Sequence, residues 1–226
     1  MITVIIVSFH SAHLIHERIK EIGNNVPIII VENSRDISLK KKIKSNYSNV
    51  SVIVPKENLG WGNAVNLAVE KCETDYIFIT QPDVKLINDC IQKLIDCVSD
   101  FKSFGIISPV DVGSKNFKNY DIYNKKESYI KQNKYELEEV DYVDISWLIN
   151  KKELNEVGDW DKNIFLYYET FDLCKRMKKK NKKLYISKKI QTSHLGSQSH
   201  AESFEWKSLL NRNWHYNWSK FYYFRK

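Results

Sequence analysis

Short apolar segments alternate with amphipathic ones through the first third of the chain. Four segments rich in β-branched residues are predicted as strands: TVIIVSF (3–9), VPIIIVEN (26–33), VSVIVP (50–55) and DYIFIT (75–80). Three segments between them carry apolar side chains at three- and four-residue spacing, which is typical of amphipathic helices: 12–22, 36–46 and 62–72. This alternation predicts βαβ units and a mostly parallel sheet that helices cover on both faces.

The pattern continues more loosely in the rest of the chain. The spacing predicts a further helix over residues 86–101 and a strand over 104–110. Residues 111–139 are polar, rich in Asn, Lys and Tyr, and weakly periodic, so we expect a loop or hairpin that crosses the site. Regular patterning returns at residues 140–150, and no internal repeat or interdomain linker is visible.

The composition is that of an ordinary folded domain. Hydrophobic residues make up 42% and charged residues 28% of the 226 positions, which argues against a disordered, collagen-like or disulfide-rich chain. The four cysteines form no CxxC pair, so we expect reduced, mostly buried thiols. The N-terminal apolar run is short and lacks a basic leader, so it is predicted as the first strand. No stretch reaches the roughly 18 apolar residues of a membrane span.

The formal net charge of +7 is concentrated in residues 175–189 and in the C-terminal tail. Such an excess favours an anionic partner, which is a nucleotide diphosphate, an acidic membrane surface or a nucleic acid. A solvated helix end explains the lysines equally well. Because no motif that reads nucleic acid accompanies the charge, we do not expect nucleic acid as a partner.

Polar loops follow each of the four predicted strands. Their sequences are SFHS, ENSRD, KENLGWGN and QPDV. In open parallel sheets, ligands bind outside the carboxyl ends of the strands, so we expect these loops to share one crevice. Their residue types bind nucleotide hydroxyls and phosphates, and they also make ordinary turns.

Five segments in order resemble the landmarks of one enzyme family: VIIVSFHS, VENSRD, ENLGWGNAVNLA, QPDV and VGDWDKNIFLYYETFDLCKR, followed by SHLGS. The family is glycosyltransferase family 2, with the GT-A fold, and the chain is most similar to its rhamnosyltransferase-like branch. The resemblance covers residues 2–200. It implies an α/β fold with a Rossmann-like, mostly parallel central sheet flanked by helices, a C-terminal acceptor-side subdomain and an aromatic-basic terminal helix.

The resemblance also implies how the chain is organised and what it does. It implies a single domain over residues 1–226, with a nucleotide-sugar-binding half (1–110), an acceptor and catalytic half (111–200) and a C-terminal helix (201–226). The implied reaction is an inverting hexosyl or deoxyhexosyl transfer from a UDP-, dTDP- or GDP-linked sugar. The implied acceptor is a hydroxyl of a glycan or lipid-linked saccharide in surface polysaccharide assembly.

The donor contacts implied by the resemblance lie in the four strand-end loops and in the helix that the third loop opens. Glu32 stands where the family usually has Asp, and a carboxylate is suited to accept from a nucleobase N–H or a ribose hydroxyl. The glycine-bearing loop opens a helix whose free N–H groups attract an anion. Ordinary turns and a plain loop-to-helix start are the alternatives, with Asp36 as a helix cap. The predicted donor-binding residues are Ser8, Phe9, Glu32, Asn58, Gly60, Trp61, Asn63, Asn66, Gln81 and Asp83.

A divalent cation, Mn²⁺ or Mg²⁺, is implied at QPDV, where the family carries an Asp-x-Asp-like motif. Gln81 replaces the first acid, so Asp83 is the predicted metal ligand, and one carboxylate suffices where phosphates supply further oxygens. His194 matches a histidine that many family members use at this site. An imidazole is a better ligand for Mn²⁺ than for Mg²⁺, so it slightly favours Mn²⁺ as the cation. The alternative for Asp83 is the N-cap of a helix that begins near Lys85.

The segment ETFD resembles the Glu-Asp-x-Asp helix start that holds the general base of the family. Thr170 stands where the base is most often found, and a threonine hydroxyl cannot remove a proton near neutral pH. We therefore predict Glu169 as the base, with Asp172 as the second catalytic candidate and the more structural of the two acids. Helix capping by both acids is the first alternative. The second is a weakened or inactive module that binds nucleotide sugars or glycans.

Acceptor contacts are implied at Trp147 and Asp161. An aromatic face packs well on the C–H face of a sugar, although core packing suits Trp147 and Trp160 equally well. Asp161 matches an acidic position of the family that holds sugar hydroxyls, and a turn or helix cap is its alternative.

Aromatic and apolar residues recur at four-residue steps in the C-terminal tail: Trp206, Leu210, Trp214, Trp218 and Tyr222. With lysine and arginine around them, they suit a membrane interface, where a lipid-linked acceptor would lie. Packing on the domain or on the second subunit of a homodimer is the alternative. We expect a cytoplasmic protein, either free or peripheral on the inner face of the membrane.

Overall fold

The computed structural model describes residues 1–114, 117–123, 134–195 and 206–226, without the side chains of 206–208. The first part of the chain alternates strands and helices: β1 (Ile2–Ser8), α1 (Ala12–Ile22), β2 (Ile28–Glu32), α2 (Ile37–Asn46), β3 (Val50–Ile53), α3 (Trp61–Val69) and β4 (Tyr76–Thr80). The predicted helix over 36–46 is confirmed, and Asp36 caps it by accepting from the Ser38 N–H at 2.8 Å.

The remaining elements include several short strands. They are β5 (Val84–Ile87), α4 (Cys90–Asp100), β6 (Ile106–Asp111), β7 (Tyr120–Asp121), β8 (Leu137–Val140), β9 (Tyr142–Val143), β10 (Trp147–Asn150), α5 (Lys151–Val157), α6 (Glu169–Lys179), β11 (Leu184–His194) and α7 (Trp206–Arg225).

One mixed sheet organises the molecule, with the strand order β3-β2-β1-β4-β10-β6-β11-β5 and β8 paired to β11. Strands β1 to β4 are parallel, and β1 pairs with both β2 and β4. The antiparallel β10 lies between β4 and β6. The predicted α/β class with a mostly parallel, helix-flanked sheet is therefore confirmed.

The two faces of the sheet carry separate hydrophobic clusters. In β1, Val4 and Ile6 pack into one cluster with α1 and α4, and Ile5 and Val7 pack into the other with α3. A strand buried on both faces needs apolar residues at every position, which explains the uninterrupted run in the sequence. Burial of each such side chain contributes about 1.5–3 kcal/mol, so this strand is a major source of stability.

The predicted helix over residues 86–101 begins too early, because Val84–Ile87 is strand β5. Its backbone is held by α1, where Arg18 donates to the Val84 carbonyl at 3.0 Å and Glu21 accepts from the Leu86 N–H at 2.9 Å. The helix α4 starts only at Cys90, after Asn88 and Asp89 in the left-handed region. Asp83 therefore does not cap a helix, and that alternative is wrong.

The polar segment 111–139 contributes strands where it is described. Strand β7 pairs with β9, and β8 pairs with β11, while residues 115–116 and 124–133 lie outside the described residues. All four cysteines are buried and free, as expected. In the part of the chain that the structure describes, no helix combines the length and the apolarity that crossing a bilayer requires.

Candidate active site

A cavity of about 340 Å³ lies at the carboxyl ends of β1, β2 and β4, and we call it the strand-end cavity. All four loops predicted to share a crevice contribute to its wall, since it is lined by Val7, Phe9, Ser11, Asn33, Asn58, Gly60, Trp61, Gln81, Pro82, Asp83, Phe165, Leu166, Tyr167, Asn211, Arg212 and His215. Its volume falls within the usual range of small-molecule sites.

A network of amides fixes the loop after β3 against the end of β2. The Asn33 amide donates to Asn58 Oδ1 at 2.7 Å and to the Gly60 carbonyl at 3.0 Å, and its Oδ1 accepts from the Leu59 N–H at 3.0 Å. Asn33 is buried and lines the cavity, yet the sequence suggested only a turn at this position. Its position at the end of a predicted strand was the available signal.

Gly60 is required by close backbone packing. Its φ of +75° lies in the left-handed region, and a Cβ there would stand 2.2 Å from the Phe165 carbonyl oxygen. The same oxygen accepts from the Trp61 N–H at 3.0 Å. The first free N–H of α3 is therefore bonded to the facing loop.

Glu32 is buried at the end of β2, where it joins neighbouring strand ends. One carboxylate oxygen accepts from the Ser8 hydroxyl at 2.6 Å, and the other accepts from the Ser34 N–H at 3.0 Å and from its hydroxyl. Neither Ser8 nor Glu32 lines the strand-end cavity, whereas Phe9 does. The nucleotide contacts predicted for Ser8 and Glu32 remain predictions, and the observed bonds hold the loop that carries Asn33.

Two further asparagines predicted as donor contacts bind backbone groups. Asn66 accepts from the Trp160 N–H at 3.0 Å and donates to the Trp160 carbonyl at 2.9 Å. Asn63 donates to the carbonyls of Leu59 and Lys162 at 3.1 and 3.3 Å. Both connect α3 to the loop before α6, and neither lines the strand-end cavity.

Asp83 and His194 come together because β5 pairs with the end of β11, with Val84 opposite His194. His194 Nε2 lies 3.4 Å from Asp83 Oδ2, and Asp83 is buried. This hydrogen bond raises the pKa of His194, although burial opposes the shift. The His194 N–H donates to Asp111 Oδ1 at 2.7 Å, which fixes the strand end.

A second cavity of about 360 Å³, the Glu169 cavity, adjoins the first. The two share the lining residues Trp61, Gln81, Leu166 and Tyr167. The Glu169 cavity is completed by Tyr142, Asp144, Trp147, Tyr168, Glu169, Thr170, Phe171 and Tyr216. The two cavities are therefore direct neighbours that share part of their lining.

Glu169 is the first residue of α6 and has a strongly perturbed carboxyl group. Its Oε2 is buried and has no hydrogen-bond partner among the described residues. Burial raises the pKa of Glu169 to about 7, with a smaller contribution from the negative charge of Asp144. A carboxylate with this pKa is poised to accept a proton near neutral pH.

Asp144 is an acidic residue of the Glu169 cavity that the sequence did not single out. Burial raises its pKa, and its Oδ1 accepts from the Ile145 N–H at 2.8 Å. An acid inside the apolar run VDYVDISWLIN was the available signal, because buried carboxylates are rare without a partner.

Asp172 and Asp161 instead anchor the end of the chain. Asp172 is buried, accepts from Arg176 Nε at 2.7 Å and pairs with Lys226 Nζ at 2.8 Å. Asp161 pairs with the same ammonium at 2.6 Å and accepts from the Tyr222 hydroxyl at 3.1 Å. Neither acid lines the two cavities, so their predicted catalytic and acceptor roles remain predictions.

Three tryptophans pack together beside the cavities. Trp61 makes edge-on ring contacts with Trp147 at 5.0 Å and with Trp160 at 5.9 Å between centroids. Trp147 lines the Glu169 cavity, whereas Trp160 is buried behind it. Trp147 thus lies both in the core and at a cavity wall, and its predicted contact with the acceptor remains a prediction.

The C-terminal helix α7 packs on the domain, which was one alternative from the sequence, and it lines both cavities with residues outside the predicted aromatic stripe. Asn211, Arg212 and His215 line the strand-end cavity, and Tyr216 lines the Glu169 cavity. The opposite side of α7 leaves large side chains exposed: Leu209, Leu210, Trp214, Trp218, Phe221 and Phe224. The side chain of Trp206 lies outside the described residues.

The model of one protein family, described as glycosyl transferase family 2, matches residues 3–158. The chain belongs to glycosyl transferase family 2. The match covers the strand-end loops, β10 and α5, and it ends before the helix that carries Glu169. No curated protein matches this family 2 chain.

Solved structures share the fold at low sequence identity. GalNAc-T7 with UDP, GalNAc and Mn²⁺ gives a TM-score of 0.67 at 14% identity over 86% of this chain and 43% of its own. The mannosyltransferase PcManGT from Pyrobaculum calidifontis, with GDP-Man and Mn²⁺, gives a TM-score of 0.64 at 13% identity, over 87% of this chain and 57% of its own. S. aureus TarS 1-349 with UDP gives a TM-score of 0.62 at 13% identity, over 85% of this chain and 59% of its own.

The family 2 chain thus spans about half the length of these solved proteins. The likeness confirms the predicted GT-A fold.

The family 2 fold implies a divalent cation, and the side chains at Asp83 fit one in part. A carboxylate and an imidazole 3.4 Å apart offer one hard oxygen and one nitrogen, a donor pair that suits Mn²⁺. No group of three or more His, Cys, Asp or Glu side chains able to hold a metal is found among the described residues. Asp83 and His194 would therefore hold a cation together with oxygens of a bound diphosphate.

Proposed function

We propose that this chain is an inverting glycosyltransferase that moves a sugar from a nucleoside-diphosphate sugar to an acceptor hydroxyl. The observation that carries the proposal is the carboxyl group of Glu169. It lines a cavity that adjoins the strand-end cavity, and burial holds its pKa at about 7. A general base in one cavity and a donor site in the next are the two parts that such a transfer requires.

The donor is assigned to the strand-end cavity. Asn33, Asn58 and Gln81 offer amides to nucleotide and sugar hydroxyls, and Phe9 offers a ring to the base. The solved neighbours contain UDP or GDP-Man, which supports a UDP-, dTDP- or GDP-linked hexose or deoxyhexose as the donor. The sugar then points across Gln81 and Leu166 towards the Glu169 cavity, where Trp147 meets the acceptor.

The reaction is a single displacement. Ionised Glu169 takes the proton of the acceptor hydroxyl, whose oxygen bonds to the anomeric carbon as the carbon–oxygen bond to the diphosphate breaks. The electron pair of that bond stays with the departing diphosphate oxygen, and attack from the opposite face inverts the anomeric carbon. Asp83 and His194 would hold a divalent cation, which would supply positive charge to the departing diphosphate.

A weakened or inactive binding module is the second candidate, because Gln81 and Thr170 stand where the family has acids. Glu169 favours the enzyme over this candidate, since its Oε2 has no hydrogen bond among the described residues and its pKa suits a base. The carboxylate also interacts with its own backbone N–H at the start of α6, and Oε2 is the oxygen left without a partner.

The exposed side of α7 supports a contact with a membrane surface. It carries Leu210, Trp214, Trp218 and Phe221, with Arg225 beside Phe221 at 5.4 Å. Aromatic and basic side chains together favour the headgroup region of an anionic membrane. We therefore propose a peripheral protein at the cytoplasmic face of the membrane, with a lipid-linked or glycan acceptor in surface polysaccharide assembly.

Flotation with vesicles tests the membrane contact. We expect the protein to float with vesicles of anionic phosphatidylglycerol, and the double variant W214S/W218S to stay in solution. A different result would contradict the membrane proposal: neither protein floats with the vesicles, and in sedimentation wild type is a dimer while the variant is a monomer. The exposed side of α7 would then be a homodimer interface.

Release of nucleoside diphosphate tests the transfer itself. Wild type is incubated with UDP-, dTDP- and GDP-sugars, Mn²⁺ and saccharide acceptors, beside Glu169→Gln and the matched control Glu70→Gln, which changes an exposed glutamate at the far end of α3. We expect release by wild type and control and a loss of about 10²–10⁴ in Glu169→Gln. Donor binding without turnover in wild type would favour the binding module.

A further inference from the structure

The strand-end cavity is closed on one side by α7. Asn211, Arg212 and His215 of this helix face a wall formed by strand-end loops, in which Asp83 is the one carboxylate among the described lining residues. Arg212 is therefore the cationic side chain that α7 brings to a cavity whose other polar groups are mainly amides and hydroxyls.

Contacts with the loop before α6 fix the helix over the cavity. His215 stacks on Phe165 with ring centroids 4.3 Å apart, and the Ser219 hydroxyl donates to the Leu166 carbonyl at 2.8 Å. Burial lowers the pKa of His215, which favours the neutral ring in this stacked position. At the end of the chain, Lys226 pairs with Asp161 and Asp172. These contacts all lie C-terminal to Arg212 in the chain, and they hold α7 against the domain.

The guanidinium of Arg212 is oriented by one hydrogen bond. Its Nε donates to the Tyr167 hydroxyl at 2.8 Å, and Tyr167 lines both cavities. The two terminal nitrogens have no hydrogen bond or ion pair among the described residues, and the side chain is exposed towards the cavity mouth. A guanidinium held at Nε presents its remaining N–H groups as a fork, and this fork matches two phosphate oxygens.

We propose that Arg212 binds the diphosphate of the donor and stabilises it as it departs. This inference rests on the proposed function and adds to it a residue from outside the matched family region, which ends at residue 158. When the anomeric carbon–oxygen bond breaks, its electron pair leaves an additional negative charge on the diphosphate. Arg212 lies against the cavity that receives this charge, and its attraction increases as the charge develops.

Binding of phosphorylated and unphosphorylated ligands separates this role from a structural one. Calorimetry measures the Kd of the nucleoside diphosphate that wild type prefers among UDP, dTDP and GDP. Ligand-observed NMR competition measures the Kd of the matching nucleoside. For Arg212→Ala we expect about 10- to 100-fold weaker diphosphate binding. We expect the nucleoside affinity to stay within about twofold of wild type.

Three further variants serve as controls. Arg225→Ala removes an exposed arginine from the same helix and should leave both affinities unchanged. Arg212→Lys keeps the charge without the fork and should restore part of the diphosphate affinity. Tyr167→Phe removes the hydrogen bond to Nε and should weaken diphosphate binding less than Arg212→Ala does.

Two results would overturn the assignment of Arg212. The first is unchanged diphosphate affinity in Arg212→Ala, and the second is an equal loss of diphosphate and nucleoside affinity. In either case, turnover by wild type would still support the proposed function. If Arg212→Ala does not fold, equal diphosphate affinities of wild type and Arg212→Lys combined with an unaffected Tyr167→Phe would overturn it instead. Absence of any nucleotide binding or turnover by wild type would overturn the proposed function itself.

Discussion

Glu169→Gln should change the pH dependence of stability as well as activity. Folding raises the pKa of Glu169 from 4.5 to about 7, mainly through burial. Because the folded pKa lies above the unfolded one, stability associated with this group is full below about pH 4.5 and is lost as the pH rises through about 7. A neutral glutamine does not titrate, so the variant escapes this loss.

The size of the effect follows from the shift. With these two pKa values, the free energy of unfolding falls by about 2.5 kcal/mol more in wild type than in Glu169→Gln between about pH 5 and pH 8. Comparing the two pH values cancels the packing difference between Glu and Gln, which is the same at both. For a chain of this length, the difference corresponds to about 5–10 °C in Tm.

Urea unfolding at the two pH values measures this difference directly. Glu70→Gln, which changes an exposed glutamate, should follow wild type at both pH values. If Glu169→Gln also follows wild type, the carboxyl group is not held near a pKa of 7. The assignment of Glu169 as a base poised by burial would then be wrong.

Three further predictions concern the loops and the cation. Gly60→Ala should lower the free energy of unfolding by about 3 kcal/mol or more, because the new Cβ would stand 2.2 Å from a facing carbonyl oxygen. Gly23→Ala has the same backbone strain but nothing within 4 Å of the new Cβ, so it should cost about 1 kcal/mol. Thermal unfolding measures both. Asn66→Ala should lower unfolding free energy by about 2–4 kcal/mol, because both backbone groups of Trp160 lose their partner, while Asn63→Ala should cost under about 1 kcal/mol. Equal costs in either pair would contradict the packing described. Chelation by EDTA should abolish turnover and Mn²⁺ should restore it, and full turnover in EDTA would exclude a required cation.

Much of the fold followed from the sequence because of simple burial. Strands covered on both faces need continuous apolar runs, so β1, β2 and β4 stand out, and the loops after them define the cavity. The predicted fourth helix began too early because the apolar spacing of its first turn also suits a short edge strand. Hydrogen bonds from Arg18 and Glu21, which are distant in sequence, stabilise the strand there.

The sequence predicted residues of the candidate site where a segment resembles a motif of the family, as at Glu169 and at the distant pair Asp83 and His194. Glu169 was predicted because ETFD resembles the helix start that holds the general base of the family, and the structure adds the burial that raises its pKa. Glu32 ends β2 and Asn66 lies in α3, and tertiary hydrogen bonds occupy both side chains. Asp144 and Arg212 reach the cavities only because β10 inserts into the sheet and α7 folds back, which local sequence patterns do not reveal.

A structure of the protein with the donor that supports turnover tests the central claim most directly. The account predicts a nucleotide in the strand-end cavity, its diphosphate between Asp83 and Arg212, and its anomeric carbon facing Glu169 across Gln81 and Leu166. A nucleotide bound elsewhere, or an anomeric carbon turned away from the Glu169 cavity, would contradict it.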